Sequence, residues 1–265
     1  MDMLAQVPYF PPPDGNVVAK ALSRAPGGVG ANIAVGLAHL GHHVTLLGAV
    51  GDDDTGDFLR EQLRAQGVNT SSMLIRKSVL TYSCFIAVKP EGERAIYGLP
   101  GAAILETPQE LDQQAIREAH ALHIAPTHRD VALTAIEEAR RGRSGGSSRS
   151  GGSSRSGGSF ISYTPADVWW PENPTAVREI ARQVDLLIVN RVEAADLTGL
   201  RKPEQAIRQL VAWGYDPVAL TVGADGVWIG NGGHVEHIPA LPRPGIRDTT
   251  GAGDAFTAGI VTGKL

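Results

Sequence analysis

From residue 31 onward the chain alternates helix-length and strand-length apolar segments, and this alternation restricts the fold more than any other feature. Residues 31–40 have the spacing of a helix, 43–49 of a strand and 57–66 of a second helix. Residues 109–119 (helix), 121–124 (strand) and 131–141 (helix) repeat the pattern, and 160–163, 186–189 and 218–222 read as short buried strands. Strands separated by helices pair in parallel, with the helices covering both faces of the sheet. An α/β fold with a doubly wound, mostly parallel sheet is the expectation. Two stretches lack crossover helices: 79–88 followed by 94–99, and the Pro-rich 7–13 leading into 17–22. They predict a small antiparallel β-lid, drawn from about 5–24 and 70–100 of a single domain spanning 1–265.

A hydrophobic fraction of 42% over 265 residues is enough for a substantial core. A net charge of -4 gives no electrostatic reason to expect nucleic acid or an anionic membrane. No apolar run approaches the roughly 20 residues of a membrane span. Residues 1–10 lack both a basic start and a long apolar stretch, so no signal peptide is expected. The single cysteine, Cys84, can form no internal disulfide, which fits a reducing cytoplasm.

Residues 142–159 are different material. The hexapeptide Ser-Gly-Gly-Ser-Ser-Arg runs twice from Ser144 to Arg155 and begins again at Ser156. Such a composition buries no core. Lengthening a helix-to-strand connection from roughly 3 to roughly 18 residues costs only about 1.5 kcal/mol in loop closure. The segment reads as a tolerated insertion, natural or engineered, away from the strand carboxyl ends where ligands bind. An Arg-bearing RNA tether is the weaker alternative.

Near the C-terminus the chain reads Asp248-Thr249-Thr250-Gly251-Ala252-Gly253-Asp254-Ala255-Phe256, followed by a helix-compatible run. The first turn of a helix leaves backbone N–H groups pointing outward, and glycines let an anion approach them. A carboxylate at Asp254 in that field can take a proton from a hydroxyl beside a bound phosphate. Anion cradle plus general base is the minimum apparatus for moving a phosphoryl group onto an alcohol. A plain glycine turn with a capping acid explains the same residues about equally well on their chemistry alone. Upstream, Gly27-Gly28-Val29-Gly30-Ala31-Asn32 opens the first helix. It is no Walker A loop and a poor dinucleotide fingerprint, since Ile33 stands at the third glycine position. Alone it reads as a helix-start turn.

Taken together and in order, the two elements resemble the signatures of the ribokinase-like (PfkB) carbohydrate kinases. The resemblance covers nearly the whole chain outside 142–159. It implies ATP-dependent phosphorylation of a sugar or sugar-like alcohol, with Asp254 as general base and Gly251, Ala252 and Gly253 as the backbone anion hole. It implies sugar contacts from Asp2, Gly28 and Asn32. Asn190-Arg191-Val192-Glu193 resembles the family's Asn-x-x-Glu element, in which Glu193 would act on Mg²⁺ through water and Asn190 would reach the nucleotide phosphates. Taken alone, Glu193 would read as an exposed acid at a helix start. Thr221, Gly223 and Gly226, in Thr221-Val222-Gly223-Ala224-Asp225-Gly226, match its nucleotide-binding turn. Residues 48–56 resemble a Gly-x-x-Gly-x-Asp segment whose Asp52-Asp53-Asp54 run reads as turn and cap chemistry. Asp248 and Thr250 match positions that help hold a monovalent cation such as K⁺. Lid strands shared between subunits, as in many relatives, would make a homodimer.

Three departures qualify the match. The family has a buried strand before the acid that Asp2 matches, and further helices beyond the point where Leu265 stands. This chain therefore reads as truncated at both ends, a fragment or a misassigned frame. Thr164 and Ala166, in Phe160-Ile161-Ser162-Tyr163-Thr164-Pro165-Ala166, also stand where the family commonly has an acid and an amide. A nucleoside kinase of the same family and a catalytically impaired sugar- or nucleotide-binding remnant stay open as alternatives. The eight histidines, among them His42-His43, His120 with His123, and His234 with His237, lack supporting acids or cysteines at metal-binding spacing. They read as satisfied or exposed.

Overall fold

A computed structural model describes residues 1–142, 159–165, 174–242 and 249–265. The chain forms two compact units, Met1–Ile104 and Leu105–Leu265.

In order, the first unit contains β1 (Asp2–Gln6), β2 (Ala21–Ala25), α1 (Val29–His39), β3 (Val44–Thr45), β4 (Gly48–Gly51), α2 (Asp54–Ala65), β5 (Val68–Asn69), β6 (Met73–Arg76), β7 (Ser83–Val88) and β8 (Arg94–Leu99). Four strands form a sheet in the order β2-β1-β7-β8; β3 pairs with β5 and β4 with β6, both parallel. The stretches 79–88 and 94–99 pair antiparallel as β7 and β8, as the lid reading expects, and β1 pairs antiparallel with β2. But β1 runs parallel to β7, from Asp2 opposite Cys84 to Gln6 opposite Val88. Both helices of the unit lie between these strands in sequence, so the chain crosses over instead of turning back as a hairpin. Ala5, Val7 and Ala87 make the buried centre of this sheet, with Phe10, Val17, Phe85 and Ala95 packed around it. The strand expected at 17–22 begins at Ala21 instead. A turn closed by Gly15 N–H on the Pro12 carbonyl precedes it, among prolines that have no N–H for a ladder.

Helix α1 buries Ile33, Ala34 and Leu37, one face at helical spacing, and Ala34 packs on Leu63 and Val68. Helix α2 starts at Asp53, whose carboxylate accepts N–H groups from Gly56 (2.8 Å) and Thr81 (2.8 Å) and the Thr81 hydroxyl (2.6 Å). Burial alone would raise the pKa of Asp53, but these bonds outweigh it and hold the carboxyl below its ordinary range. The middle acid of the Asp52–Asp54 run thus caps a helix.

The second unit begins with a 3-10 turn (Pro108–Glu110). There follow α3 (Gln113–Glu118), β9 (Ala121–Ile124), α4 (Arg129–Gly142), β10 (Phe160–Tyr163), α5 (Pro174–Ala181), β11 (Leu186–Asn190), α6 (Arg191–Thr198), α7 (Pro203–Ala212), β12 (Val218–Thr221), β13 (Val227–Asn231), β14 (His234–Ile238) and α8 (Ala252–Thr262). The sheet order is β14-β13-β12-β11-β10-β9; β9 to β12 are parallel, while β13 and β14 close one edge antiparallel. Successive residues Leu186, Leu187, Ile188 and Val189 are all buried. Since neighbours on a strand face opposite ways, both faces of the sheet are covered. Helix α4 packs on β9, α6 on β11, and α7 on β12 and β13.

Two expected elements are divided. Residues 43–49 split into β3 and β4, each with its own parallel partner. Residues 109–119 split because Asp112 caps a new helix, its carboxylate accepting the Ala115 N–H at 3.0 Å. At the 142–159 insertion, Gly142 still belongs to α4, and Ser159 is buried with its hydroxyl on the Ala119 carbonyl (2.6 Å). The Ser-Gly-Gly-Ser-Ser-Arg repeats lie outside the described residues. Among the described residues no helix is long and apolar enough to cross a membrane.

Candidate active site

Adjacent parallel strands β11 and β12 end level with each other, Asn190 opposite Thr221. The carboxyl ends of such strands are where open α/β sheets hold ligands. Asn190 is exposed and caps α6, its side-chain oxygen accepting N–H groups from Val192 (2.8 Å) and Glu193 (3.0 Å). Glu193 returns the bond, its Oε2 accepting the Asn190 N–H at 2.8 Å. On its own, Glu193 reads as an exposed helix-start acid; in the fold it is only 3% exposed. Burial and the Glu193 charge together push the Tyr163 phenol above its ordinary pKa.

Beyond Thr221 the chain makes a 3-10 turn, Gly223–Asp225, closed by the Val222 N–H on the Gly226 carbonyl (2.8 Å). A side chain at Gly226 would bring its Cβ within 2.1 Å of the Ile238 carbonyl oxygen. That glycine is required by the close approach of β14. Arg191 reaches this turn from the start of α6, donating from Nη2 to the Val222 carbonyl (2.8 Å) and the Asp225 carboxylate (3.0 Å). Nothing in the residue pattern assigned Arg191 a part, because the partner turn lies some thirty residues further along the chain.

Helix α8 starts at Gly251, whose φ of 76° is left-handed and suits glycine. Asp254 stands in the first turn. A Cβ added at Gly251 or Gly253 would meet no atom of the described residues within 4 Å. Among the described residues nothing occupies the positions that side chains at these two glycines would take. Thr250 is exposed; Asp248 lies outside the described residues.

In the first unit, Asp2 opens β1 and Gly27-Gly28 leads into α1. A Cβ at Gly27 would fall 2.1 Å from Asp2 Oδ2, so the carboxylate lies directly against this glycine's backbone. Burial raises the Asp2 pKa, with the chain's amino group opposing. Gly28 caps α1 and its carbonyl accepts the Asn32 N–H at 2.9 Å. Asp2 thus adjoins the Gly27-Gly28 turn, with Asn32 one helical turn further into α1, while Asn190, Glu193, Thr221, Gly223 and Gly226 lie at the β11 and β12 ends.

Near the end of β10, Thr164 donates its N–H to Ile124, but its buried hydroxyl has no partner among the described residues; Ala166 lies outside them. His123, which from its spacing reads as satisfied or exposed, is only half satisfied: Nδ1 is 2.9 Å from the Ser162 hydroxyl, while Nε2 is buried without a partner among those residues. Burial lowers its pKa to about 4, so the ring is neutral. Among the described residues no group of three or more His, Cys, Asp or Glu could hold a metal. Glu193, a single buried carboxylate already holding a backbone N–H, fits a hard cation only through intervening water.

A doubly wound α/β sheet with a glycine-cradled helix start and an acid in its first turn defines a phosphate-handling class of protein. The chain belongs to the pfkB family of carbohydrate kinases, whose profile matches residues 1–265. It is 30% identical over 243 residues to the aminoimidazole riboside kinase of Salmonella typhimurium, covering 90% of this chain and 73% of the relative. It is 31% identical over 266 residues to the fructokinase of Klebsiella pneumoniae, covering 95% and 80%. The structure of the ribokinase from Cryptococcus neoformans var. grubii in complex with ADP superposes with a TM-score of 0.74 at 25% identity, covering 100% of this chain and 85% of that one.

Proposed function

We propose that this protein transfers a phosphoryl group from ATP to a hydroxyl of a sugar or sugar-like alcohol. The observation that carries the reading is the start of α8: a glycine turn, its Cβ positions unoccupied by any described residue, with Asp254 in the first turn of the helix. In this reading Asp254 takes the proton of the acceptor hydroxyl, and the backbone N–H groups of Gly251, Ala252 and Gly253 hold charge developing on the transferred group. Asn190, Thr221, Gly223 and Gly226 bind the nucleotide. Bound Mg²⁺ would neutralise charge on its phosphates, with Glu193 orienting water around the ion. Asp2, Gly28 and Asn32 take the sugar hydroxyls, and Thr250 with Asp248 would hold K⁺. The same reading includes a homodimer formed through the lid strands, a cytoplasmic setting and no nucleic-acid partner.

A riboside acceptor is the second reading, favoured by the identity to aminoimidazole riboside kinase. ADP release measured with ribose, fructose, adenosine and aminoimidazole riboside separates the two. Asp254→Asn is expected to lower turnover by roughly 10²–10⁴-fold while nucleotide binding persists. Near wild-type turnover in that variant would remove Asp254 from the mechanism. Sugar-induced thermal stabilisation without any ADP release would instead make the protein a binding remnant.

A further inference from the structure

Arg191 ties the start of α6 to the turn after β12, just beyond the point where the β11–β12 ladder ends at Asn190 and Thr221. It is the first residue of α6, between Asn190 and Glu193, and its Nη2 spans to both the Val222 carbonyl (2.8 Å) and the Asp225 carboxylate (3.0 Å) of the turn after β12. The far side of that turn is fixed as well. A His237 ring nitrogen lies 2.8 Å from the Asp225 carbonyl oxygen, and the His237 ring stacks on Trp228 with centroids 4.7 Å apart. No other Arg or Lys occurs in 186–199 or 218–238, so Arg191 is the one cation these two segments contain.

The Arg191 and Asp225 side chains are 52% and 74% exposed, and an ion pair so exposed contributes little by itself. The bond to the Val222 carbonyl is different in kind. It fixes the backbone of the residue whose N–H closes the turn onto Gly226. A planar guanidinium holds two acceptors in one geometry, which an ammonium on a flexible stem does less well.

We propose that Arg191 is a nucleotide-positioning residue: it locks the Val222–Gly226 turn against the start of α6, setting the distance between Asn190 and the turn that receives the nucleotide. The proposal rests on the assignment of these elements to nucleotide binding. Its effect falls on nucleotide affinity and on turn rigidity, and leaves the sugar-binding residues of the first unit untouched.

The test uses the whole chain as wild type, Arg191→Ala and Arg191→Lys, with two readouts: hydrogen exchange of 222–226 without ligand, and MgADP affinity by calorimetry. Exchange in the turn should rise about tenfold or more in Arg191→Ala and MgADP affinity should fall about tenfold, with Arg191→Lys recovering part of both. Unchanged exchange in Arg191→Ala would overturn the proposal, as would faster exchange with affinity within about twofold of wild type. Wild-type binding matched by Arg191→Ala sinks this inference alone. A wild-type chain that binds no MgADP sinks the nucleotide assignment and this inference with it.

Discussion

Asn190 and Glu193 cap one another: the Asn190 side chain accepts the Glu193 N–H at 3.0 Å, and the Glu193 carboxylate accepts the Asn190 N–H at 2.8 Å. A structural cap and a proposed ion-orienting carboxylate are therefore the same side chain, buried to 3% exposure. Two substitutions separate the roles. Glu193→Gln keeps an oxygen for the Asn190 N–H, so stability should hold while turnover at limiting Mg²⁺ falls. Glu193→Ala leaves that N–H unpaired and should lose about 1–2 kcal/mol by denaturant titration. Unchanged Mg²⁺ dependence in Glu193→Gln would leave Glu193 a cap alone.

The two glycines of the α8 start should respond oppositely. Gly251→Ala forces a side chain into a left-handed backbone and should cost about 1–2 kcal/mol of stability. Gly253→Ala meets no atom of the described residues within 4 Å and sits in a helix, so stability should hold or rise by roughly 0.5–1 kcal/mol. Its methyl would nonetheless stand in the proposed anion hole, and turnover should fall by roughly 10²-fold. A fully active Gly253→Ala enzyme would place the phosphoryl group elsewhere.

Gly27→Ala would push the Asp2 carboxylate aside, since the added Cβ lies 2.1 Å from Oδ2. Misplacement on that scale should reduce kcat/KM for the sugar by up to roughly 10²-fold. The nucleotide KM should not move. A loss shared equally by both substrates would point to general disruption of the first unit instead.

His123 gives the protein an acid-sensitive element. Its folded pKa, about 4, lies below the ordinary value of 6.5, so the unfolded chain binds the proton more tightly. The neutral ring's contribution is complete above pH 6.5 and is lost as pH falls toward 4, by roughly 3 kcal/mol. Denaturation curves between pH 4 and 7 should show this slope for the wild type and a shallower one for His123→Gln. Equal slopes would remove His123 as the cause.

Much of this is legible in the order of residues alone. The strands 121–124 and 160–163 end where their apolar runs end, and α8 begins at its glycine turn, because short-range chemistry decides those boundaries. Other elements turned on partners distant in sequence. Residues 43–49 look continuous until β5 and β6 each claim a part, and β1 is parallel to β7 because two helices intervene.

The sequence by itself determined the alternating α/β plan, the glycine turn before Asp254 and the likeness to the pfkB family. Those depend on local periodicity, on the φ that glycine permits and on residue order. Only tertiary structure decided that Glu193 is buried in a cap, that the Asp2 carboxylate lies against Gly27 and that Arg191 reaches the Val222–Asp225 turn. Burial and hydrogen-bond partners depend on what another segment brings into contact, and residue spacing along one segment carries no record of it.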